Sequence, residues 1–200
     1  MPTNTFYLSA AALEKYLEIY DRGLNTKDYE YHVALHAHAY YEEHLKQKFS
    51  IAFEVNDNPH NYPKRMEEIS TEVLRDIILN HFKENTDVDF VLAPQNNTEK
   101  KIGYPFQLKK FVFGAEAVTS SIVADYINKK ANSYSNSDLS MIVIPVNKVD
   151  SQEKISFDTK QLKSQLKINN NALYAVFIFQ HIDGKISLKP VWLSSRVVGK

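Results

Sequence analysis

The chain has 200 residues, 44% hydrophobic and 24% charged, with 5 Gly and 7 Pro, so its composition is typical of a folded domain and excludes collagen-like and low-complexity chains. It has no cysteine, so we expect neither disulfides nor thiolate chemistry. No apolar run approaches the length of about 20 residues that crosses a bilayer, and the first residues do not resemble a signal peptide, so we expect a cytoplasmic protein without a membrane partner. The net charge is zero, but residues 1–100 carry a net −7 and residues 101–200 a net +7, which leaves open whether one face meets a polyanion or the two halves simply pack together.

The first 60 residues are expected to form a helical N-terminal extension. Ser9 is a good N-cap, and it precedes an apolar stripe with helical spacing that ends before Gly23. The stripe consists of Leu13, Tyr16, Leu17 and Tyr20. A second helix is predicted from Asp28 to Lys48, followed by a short strand at 50–55 and a polar loop.

Residues 61–200 are expected to form one α/β domain with a mixed sheet, because helical and strand patterns alternate along them. The predicted elements are a helix from Pro63 to Phe82, strands at 88–93 and 104–114, a helix at 115–131, a strand at 141–146, a short helix at 158–167 and a last hairpin that turns at 182–184. The strand at 141–146 is nearly all apolar, as expected for a strand buried on both faces.

Polar residues that suit phosphodiester hydrolysis occur on the first hairpin of this domain. Asp89 lies in the first strand, and Gln107 and Lys109 share one face of the second strand because side chains alternate along a strand. A carboxylate, an amide oxygen and the backbone carbonyl of Leu108 are ligands for a hard divalent cation, which polarises a phosphoryl oxygen and acidifies water. The ammonium group of Lys109 would orient the water or stabilise the developing negative charge.

Further charged residues flank this hairpin. Glu72 and Glu68 lie on the preceding predicted helix, and either carboxylate would complete a metal shell. Lys100, Lys101 and Lys110 cluster near the hairpin and are candidate phosphate contacts, although lysines are also typical of a solvated turn.

The chain resembles the PD-(D/E)XK nuclease superfamily in the order of these residues. An acid on a helix is followed by an Asp on a strand and by Gln-x-Lys on the next strand. The similarity covers residues 64–147 and is nearest to the D…QxK variant of Mrr-like restriction endonucleases and antiphage-defence nuclease domains. It implies a restriction-endonuclease-like αβββαβ core and Mg²⁺- or Mn²⁺-dependent endonuclease cleavage of nucleic acid, most often DNA. It assigns Asp89 and Gln107 to the metal, Lys109 to the motif lysine and Glu72 to the helix acid, with Glu68 as the alternative.

Two features of the chain leave alternatives open. Gln107 replaces an acidic ligand and removes a negative charge, so metal affinity should fall. The alternative function is therefore a catalytically inactive subunit that binds nucleic acid or a protein. RNA is the alternative substrate. Because an uncontrolled nuclease endangers its host genome, we also expect control by a regulatory protein partner or by homo-oligomerisation.

Four histidines of the second predicted helix invite a zinc interpretation. They are His32, His36, His38 and His44. The segment HVALH lacks the glutamate of the HExxH motif and no further ligand is well placed, so we interpret these histidines as helix-packing and surface residues.

Overall fold

The computed structural model describes residues 4–20, 29–55, 88–95, 103–113, 118–134, 139–147, 158–182 and 185–195, which form an α/β protein with a mixed sheet. The strands are β1 (Asn4–Leu8), β2 (Phe49–Val55), β3 (Phe90–Pro94), β4 (Tyr104–Phe113), β5 (Leu139–Asn147), β6 (Leu173–Ile182) and β7 (Lys185–Leu193). The helices are α1 (Ala10–Tyr20), α2 (Tyr29–Leu45), α3 (Ser120–Ala131) and α4 (Thr159–Gln165). No helix in these ranges is long and apolar enough to cross a membrane.

The chain divides into two compact units, residues 1–106 and residues 107–200. The predicted domain boundary between residues 60 and 61 lies outside the described residues, as does the helix predicted from Pro63 to Phe82. The two expected helices and the short strand predicted at 50–55, which is β2, are confirmed, and β1 is an additional strand that pairs with β2.

In the first unit the strand order is β1-β2-β3-β4, and the three pairs are antiparallel. The predicted N-cap of α1 is confirmed, since the N–H of Ala12 donates to Ser9 Oγ at 3.1 Å, and Leu13 and Leu17 are buried. Helix α2 ends at Leu45 rather than at the predicted Lys48, because Lys46 adopts a left-handed φ of 52°, which stops a helix.

Aromatic side chains form much of the core of the first unit. Phe90 and Phe106 face each other across β3 and β4, and their rings stack with centroids 4.7 Å apart. Tyr41 of α2 packs edge-on against Phe106 at 5.3 Å and against Tyr104 at 5.0 Å between ring centroids. These rings attach α2 to the hairpin, because aromatic pairs combine a large buried apolar area with a preferred geometry.

Gly103 allows β4 to approach β3 closely where β4 begins. A Cβ atom at this position would lie 2.6 Å from Cγ1 of Val91 and 2.7 Å from the carbonyl oxygen of Leu92. Both distances are shorter than packed atoms tolerate, so only glycine fits here without a shift of the strands.

Glu42 ties the end of α2 to the start of β2. Its carboxylate accepts from the Lys48 ammonium at 3.0 Å and from the Phe49 N–H at 3.3 Å, and it lies 3.3 Å from Nε2 of His38. Burial raises the pKa of the Glu42 carboxyl, but the hydrogen bonds from Lys48 and Phe49 and the nearby His38 together lower it by more. The net pKa is therefore below its ordinary value.

In the second unit the strand order is β4-β5-β6-β7. Strands β5 and β6 are parallel, with Val143 facing Ile178, whereas β6 and β7 are antiparallel, so the sheet of this unit is mixed as predicted. The expected burial of the strand at 141–146 is confirmed for residues 141–145. The expected last hairpin is also confirmed, since Ile182 pairs with Lys185.

The two helices of the second unit begin at side-chain caps. Helix α3 begins at Ser120 rather than at the predicted residue 115, because Thr119 Oγ1 accepts from the N–H of Ile122 at 3.4 Å and so acts as the N-cap. Asp158 caps α4 in the same way by accepting from the N–H of Lys160 at 2.8 Å, which agrees with the predicted beginning of the short helix.

Asparagine side chains fasten the segment after α4 to the end of α3. Asn128 donates to the carbonyl of Gln165 at 3.1 Å and accepts from the N–H of Lys167 at 2.7 Å. Asn132 donates to the carbonyl of Lys167 and accepts from the N–H of Asn169, each at 3.0 Å. These amides thus satisfy backbone groups of a stretch that has no regular secondary structure of its own.

Asn170 completes this asparagine clamp, which consists of Asn128, Asn132 and Asn170. It donates to the carbonyls of Ala131 and Tyr134 at 2.8 and 2.7 Å and accepts from the N–H of Ala172 at 2.9 Å. The clamp therefore joins the segment before β6 to the end of α3 through hydrogen bonds between asparagine side chains and backbone groups.

We expect Glu42→Gln to cost about 1 kcal/mol of unfolding free energy at pH 7, because an ionised acceptor is lost. A carboxyl whose pKa is lowered by folding stabilises the protein above its unfolded-state pKa, and this stabilisation is lost as the pH falls through the folded-state value. The difference between wild type and Glu42→Gln should therefore shrink below the ordinary pKa of 4.5. Urea unfolding at several pH values measures it. The control is Glu43→Gln at an exposed neighbour, and an equal effect of both variants at pH 7 would contradict this role of Glu42.

We expect Asn170→Ala to lower the unfolding free energy by about 1–3 kcal/mol, because partly buried backbone groups lose their partners. Urea denaturation measures this loss. Asn171→Ala, at the exposed next position, is the matched control and should change stability by less than about 0.5 kcal/mol. Equal stability of the two variants would show that the clamp does not contribute to folding.

We expect Gly103→Ala to lower the unfolding free energy by about 1–3 kcal/mol, because β3 and β4 must separate to admit the methyl group. Urea unfolding provides the measurement. Val91→Ala tests the cause, since it removes one of the two clashing atoms. In a double-mutant cycle, Gly103→Ala should cost less in the Val91→Ala background than in wild type, and strict additivity would contradict the steric explanation.

Candidate active site

Asp89 lies directly before β3 in the first unit and is partly buried. Its N–H donates to the carbonyl of Phe106 at 2.8 Å, although Phe106 already faces Phe90 in the strand register. Two consecutive residues therefore meet one residue of β4, which is the arrangement of a β-bulge. The predicted strand begins at Val88, but the observed strand begins two residues later, because this bond departs from the regular ladder. Bulges redirect side chains and are frequent next to active sites.

The first turn of α2 lies near the Asp89 carboxylate. The pKa of the Tyr29 hydroxyl is raised by burial, by the charges of Glu30 and Asp89 and by a hydrogen bond with Glu30. Tyr29 therefore keeps its proton throughout the neutral and moderately alkaline range. Neither Tyr29 nor Glu30 was predicted as a neighbour of Asp89, since they are distant in the chain and no local pattern connects them.

Gln107, Leu108 and Lys109 lie in β4, in the second unit. Gln107 and Leu108 are each 7% exposed, and Nε2 of Gln107 donates to the carbonyl of Leu108 at 3.3 Å. Lys109 is partly buried, with its Nζ 5.7 Å from the centroid of the Tyr134 ring, within the range of a cation–π interaction. The side chain of Gln107 and the backbone carbonyl of Leu108 therefore converge.

The oxygen atoms of Gln107, Leu108 and Asp89 are of the chemical type that binds hard divalent cations. A half-turn of the Gln107 amide exchanges its nitrogen and oxygen without moving the chain, and Oε1 would then lie beside the Leu108 carbonyl. Both oxygens, like the carboxylate of Asp89, are ligands that Mg²⁺ and Mn²⁺ accept. Within the described ranges no three His, Cys, Asp or Glu side chains form a metal-binding group. Of these three predicted donors, only Asp89 carries a negative charge.

The other predicted site residues have mixed outcomes. Glu72, Glu68, Lys100 and Lys101 lie outside the described residues. Lys110 is exposed, and its backbone carbonyl accepts from the Tyr126 hydroxyl at 3.4 Å. A phosphate contact by Lys110 stays a prediction, as do the roles of the four residues outside the described ranges.

The histidines of α2 contact the backbone of α2 and β2. Nδ1 of His36 lies 2.9 Å from the carbonyl of His32, and Nδ1 of His44 lies 2.8 Å from that of Tyr40. His38 is buried, with Nε2 3.0 Å from the carbonyl of Phe49. These contacts agree with the interpretation of the histidines as packing residues.

Comparisons of this chain with protein-family models, curated proteins and solved structures found no match. The resemblance to the PD-(D/E)XK superfamily therefore stays a prediction, and the function has to be argued from the chemistry of the residues themselves.

Proposed function

We propose that this protein is a metal-dependent nuclease of the PD-(D/E)XK type with a restriction-endonuclease-like core, and that it hydrolyses phosphodiester bonds of DNA. The main support is one backbone arrangement. Asp89 is hydrogen-bonded to Phe106, the residue directly before Gln107 in the chain, and Gln107 in turn contacts the carbonyl of Leu108. The Gln107 side chain and the Leu108 carbonyl, two of the oxygen donors that the resemblance requires, thus lie next to each other in β4.

In this proposal Asp89, Gln107 and the Leu108 carbonyl hold Mg²⁺ or Mn²⁺, together with Glu72 or Glu68. The bound cation would polarise the phosphoryl oxygen and lower the pKa of water. Lys109 would stabilise the negative charge that develops on the phosphate, as an ammonium group does when it is held in a partly dehydrated place. Tyr29 stays protonated and would remain a hydrogen-bond donor beside the acidic residues.

The biological role follows from the same resemblance. We propose that the nuclease acts in antiphage defence or restriction in the cytoplasm, under the control of a partner protein or of its own oligomerisation. Residues 1–60, with 5 basic and 9 acidic residues, carry much of the negative charge of the first half of the chain, so we assign them to control rather than to DNA contact.

One observation favours a second candidate function. Gln107 is neutral and only 7% exposed, which disfavours a high-affinity cation site. The alternative is a nuclease-fold subunit that binds nucleic acid or a protein partner without cutting.

We expect purified protein to cut plasmid or single-stranded DNA in the presence of Mg²⁺ or Mn²⁺ and to stop cutting when EDTA is added. Asp89→Ala and Lys109→Ala should each lower the rate by about 10²-fold or more, because each removes charge that acts on the transition state. Gel assays with DNA, and with RNA in parallel, measure the rates and identify the substrate.

The matched controls are Asp125→Ala and Lys129→Ala, which change the same charges at exposed positions on α3. They should cut at the wild-type rate. Cutting that survives both Asp89→Ala and Lys109→Ala would overturn the assignment of the site. DNA binding without cutting under every metal condition would instead favour the inactive subunit.

A further inference from the structure

An open cavity of about 560 Å³ lies in the second unit, between the segment after α4 and the end of β7. Its walls include Ile168, Trp192, Ser194 and the consecutive asparagines Asn169, Asn170 and Asn171. The volume falls within the range of about 300–1,000 Å³ that small-molecule sites occupy. None of these residues takes part in the proposed hydrolysis.

The asparagine wall of this cavity is held in place by the asparagine clamp. Asn170 uses both ends of its amide on backbone groups, and the N–H of Asn169 is bound by Asn132. Asn169 and Asn171 are exposed on this fixed segment. A rigid wall with exposed amides can recognise a ligand without first becoming ordered, which favours binding.

Ser194 is a buried polar residue directly after β7. It is 6% exposed and belongs to the cavity wall, and its Oγ is buried with no hydrogen-bond partner among the described residues. Its N–H donates to the carbonyl of Tyr174 at 3.0 Å, so the backbone of Ser194 is fixed. Buried hydroxyl groups nearly always have a partner, so the cavity wall holds a polar group whose hydrogen bonding the described residues do not satisfy.

A β-bulge in β7 brings Trp192 and two lysines to one face. Val176 pairs with Trp192 but the next residue, Phe177, pairs with Pro190, so Val191 is an extra residue. Because of it, Trp192 shares a face with Lys189 and Lys185, whereas a regular strand would put Trp192 on the opposite face from them. Both lysines are exposed and Trp192 is partly buried.

We propose that the cavity binds an unpaired nucleobase of single-stranded nucleic acid, with the phosphate backbone passing along Lys189 and Lys185. The indole of Trp192 offers a stacking surface, and the amides of Asn169 and Asn171 offer the paired donor and acceptor groups that read a base edge. The second unit has 13 basic and 7 acidic residues, a net charge of +6, which favours a polyanion over a neutral sugar. As a substrate site, this inference rests on the proposed nuclease function.

Trp192 is the only tryptophan of the chain, so its own fluorescence reports on this cavity. We expect an unlabelled single-stranded oligonucleotide, titrated in EDTA at low salt, to quench the emission saturably and with an affinity that falls as salt is added. Two controls at equal concentration are a strand of the same length without bases and a fully paired duplex. Each should quench the emission at least about tenfold less than the single strand does.

Variants locate the contacts, with binding followed by the anisotropy of a dye-labelled single strand. Trp192→Ala should weaken binding about tenfold or more and Trp192→Phe less, because phenylalanine still stacks. Asn171→Ala and Lys189→Ala should each weaken it severalfold. Lys160→Ala, an equal charge change at an exposed position on α4, should leave it unchanged.

Two outcomes overturn the proposal: no quenching by any single strand, or equal quenching by the strand without bases or by the duplex. The proposed catalysis is tested separately. DNA cutting without quenching would reject the base site and keep the nuclease, whereas quenching without cutting would support the base site and reject the nuclease.

Discussion

The stack of Phe90 on Phe106 is the interaction on which the candidate site depends most. The two rings face each other across β3 and β4 with centroids 4.7 Å apart and planes only 7° from parallel, and both side chains are fully buried. A slip of the pairing by one residue would separate the two rings and end this stack, so the stack favours the observed register. The register in turn fixes which residue the Asp89 N–H can reach.

The bulge at Asp89 and the bulge at Val191 have a common consequence. At both places the backbone departs from regular strand pairing, while the apolar residues next to it remain buried. Phe90 stays in the core although Asp89 leaves the ladder, and Val191 is buried although Trp192 and Lys189 share the outer face. The apolar residues therefore stay packed in the sheet where the pairing of the neighbouring polar residues changes.

Features with a local signal could be predicted from the sequence, and features that depend on distant pairing could not. Ser9 and the spacing of Leu13 and Leu17 predicted α1, and the turn residues at 182–184 predicted the last hairpin. Strand β1 was missed because its stability comes from pairing with β2. The nearness of Tyr29 to Asp89 was missed for the same physical reason, since only tertiary contacts create it.

The replacement of an acidic ligand by Gln107 has a thermodynamic consequence for the proposed catalysis. Mg²⁺ is commonly held by one or two carboxylates together with phosphate oxygens of the substrate. If Gln107 lowers the charge of the protein site, the phosphates of the nucleic acid supply a larger share of the metal ligands, and metal and substrate strengthen each other's binding. A base site in the basic second unit would raise the occupancy of the substrate and, through this linkage, that of the metal. The loss of an acidic ligand would then confine cleavage to nucleic acid that is already bound with an unpaired base.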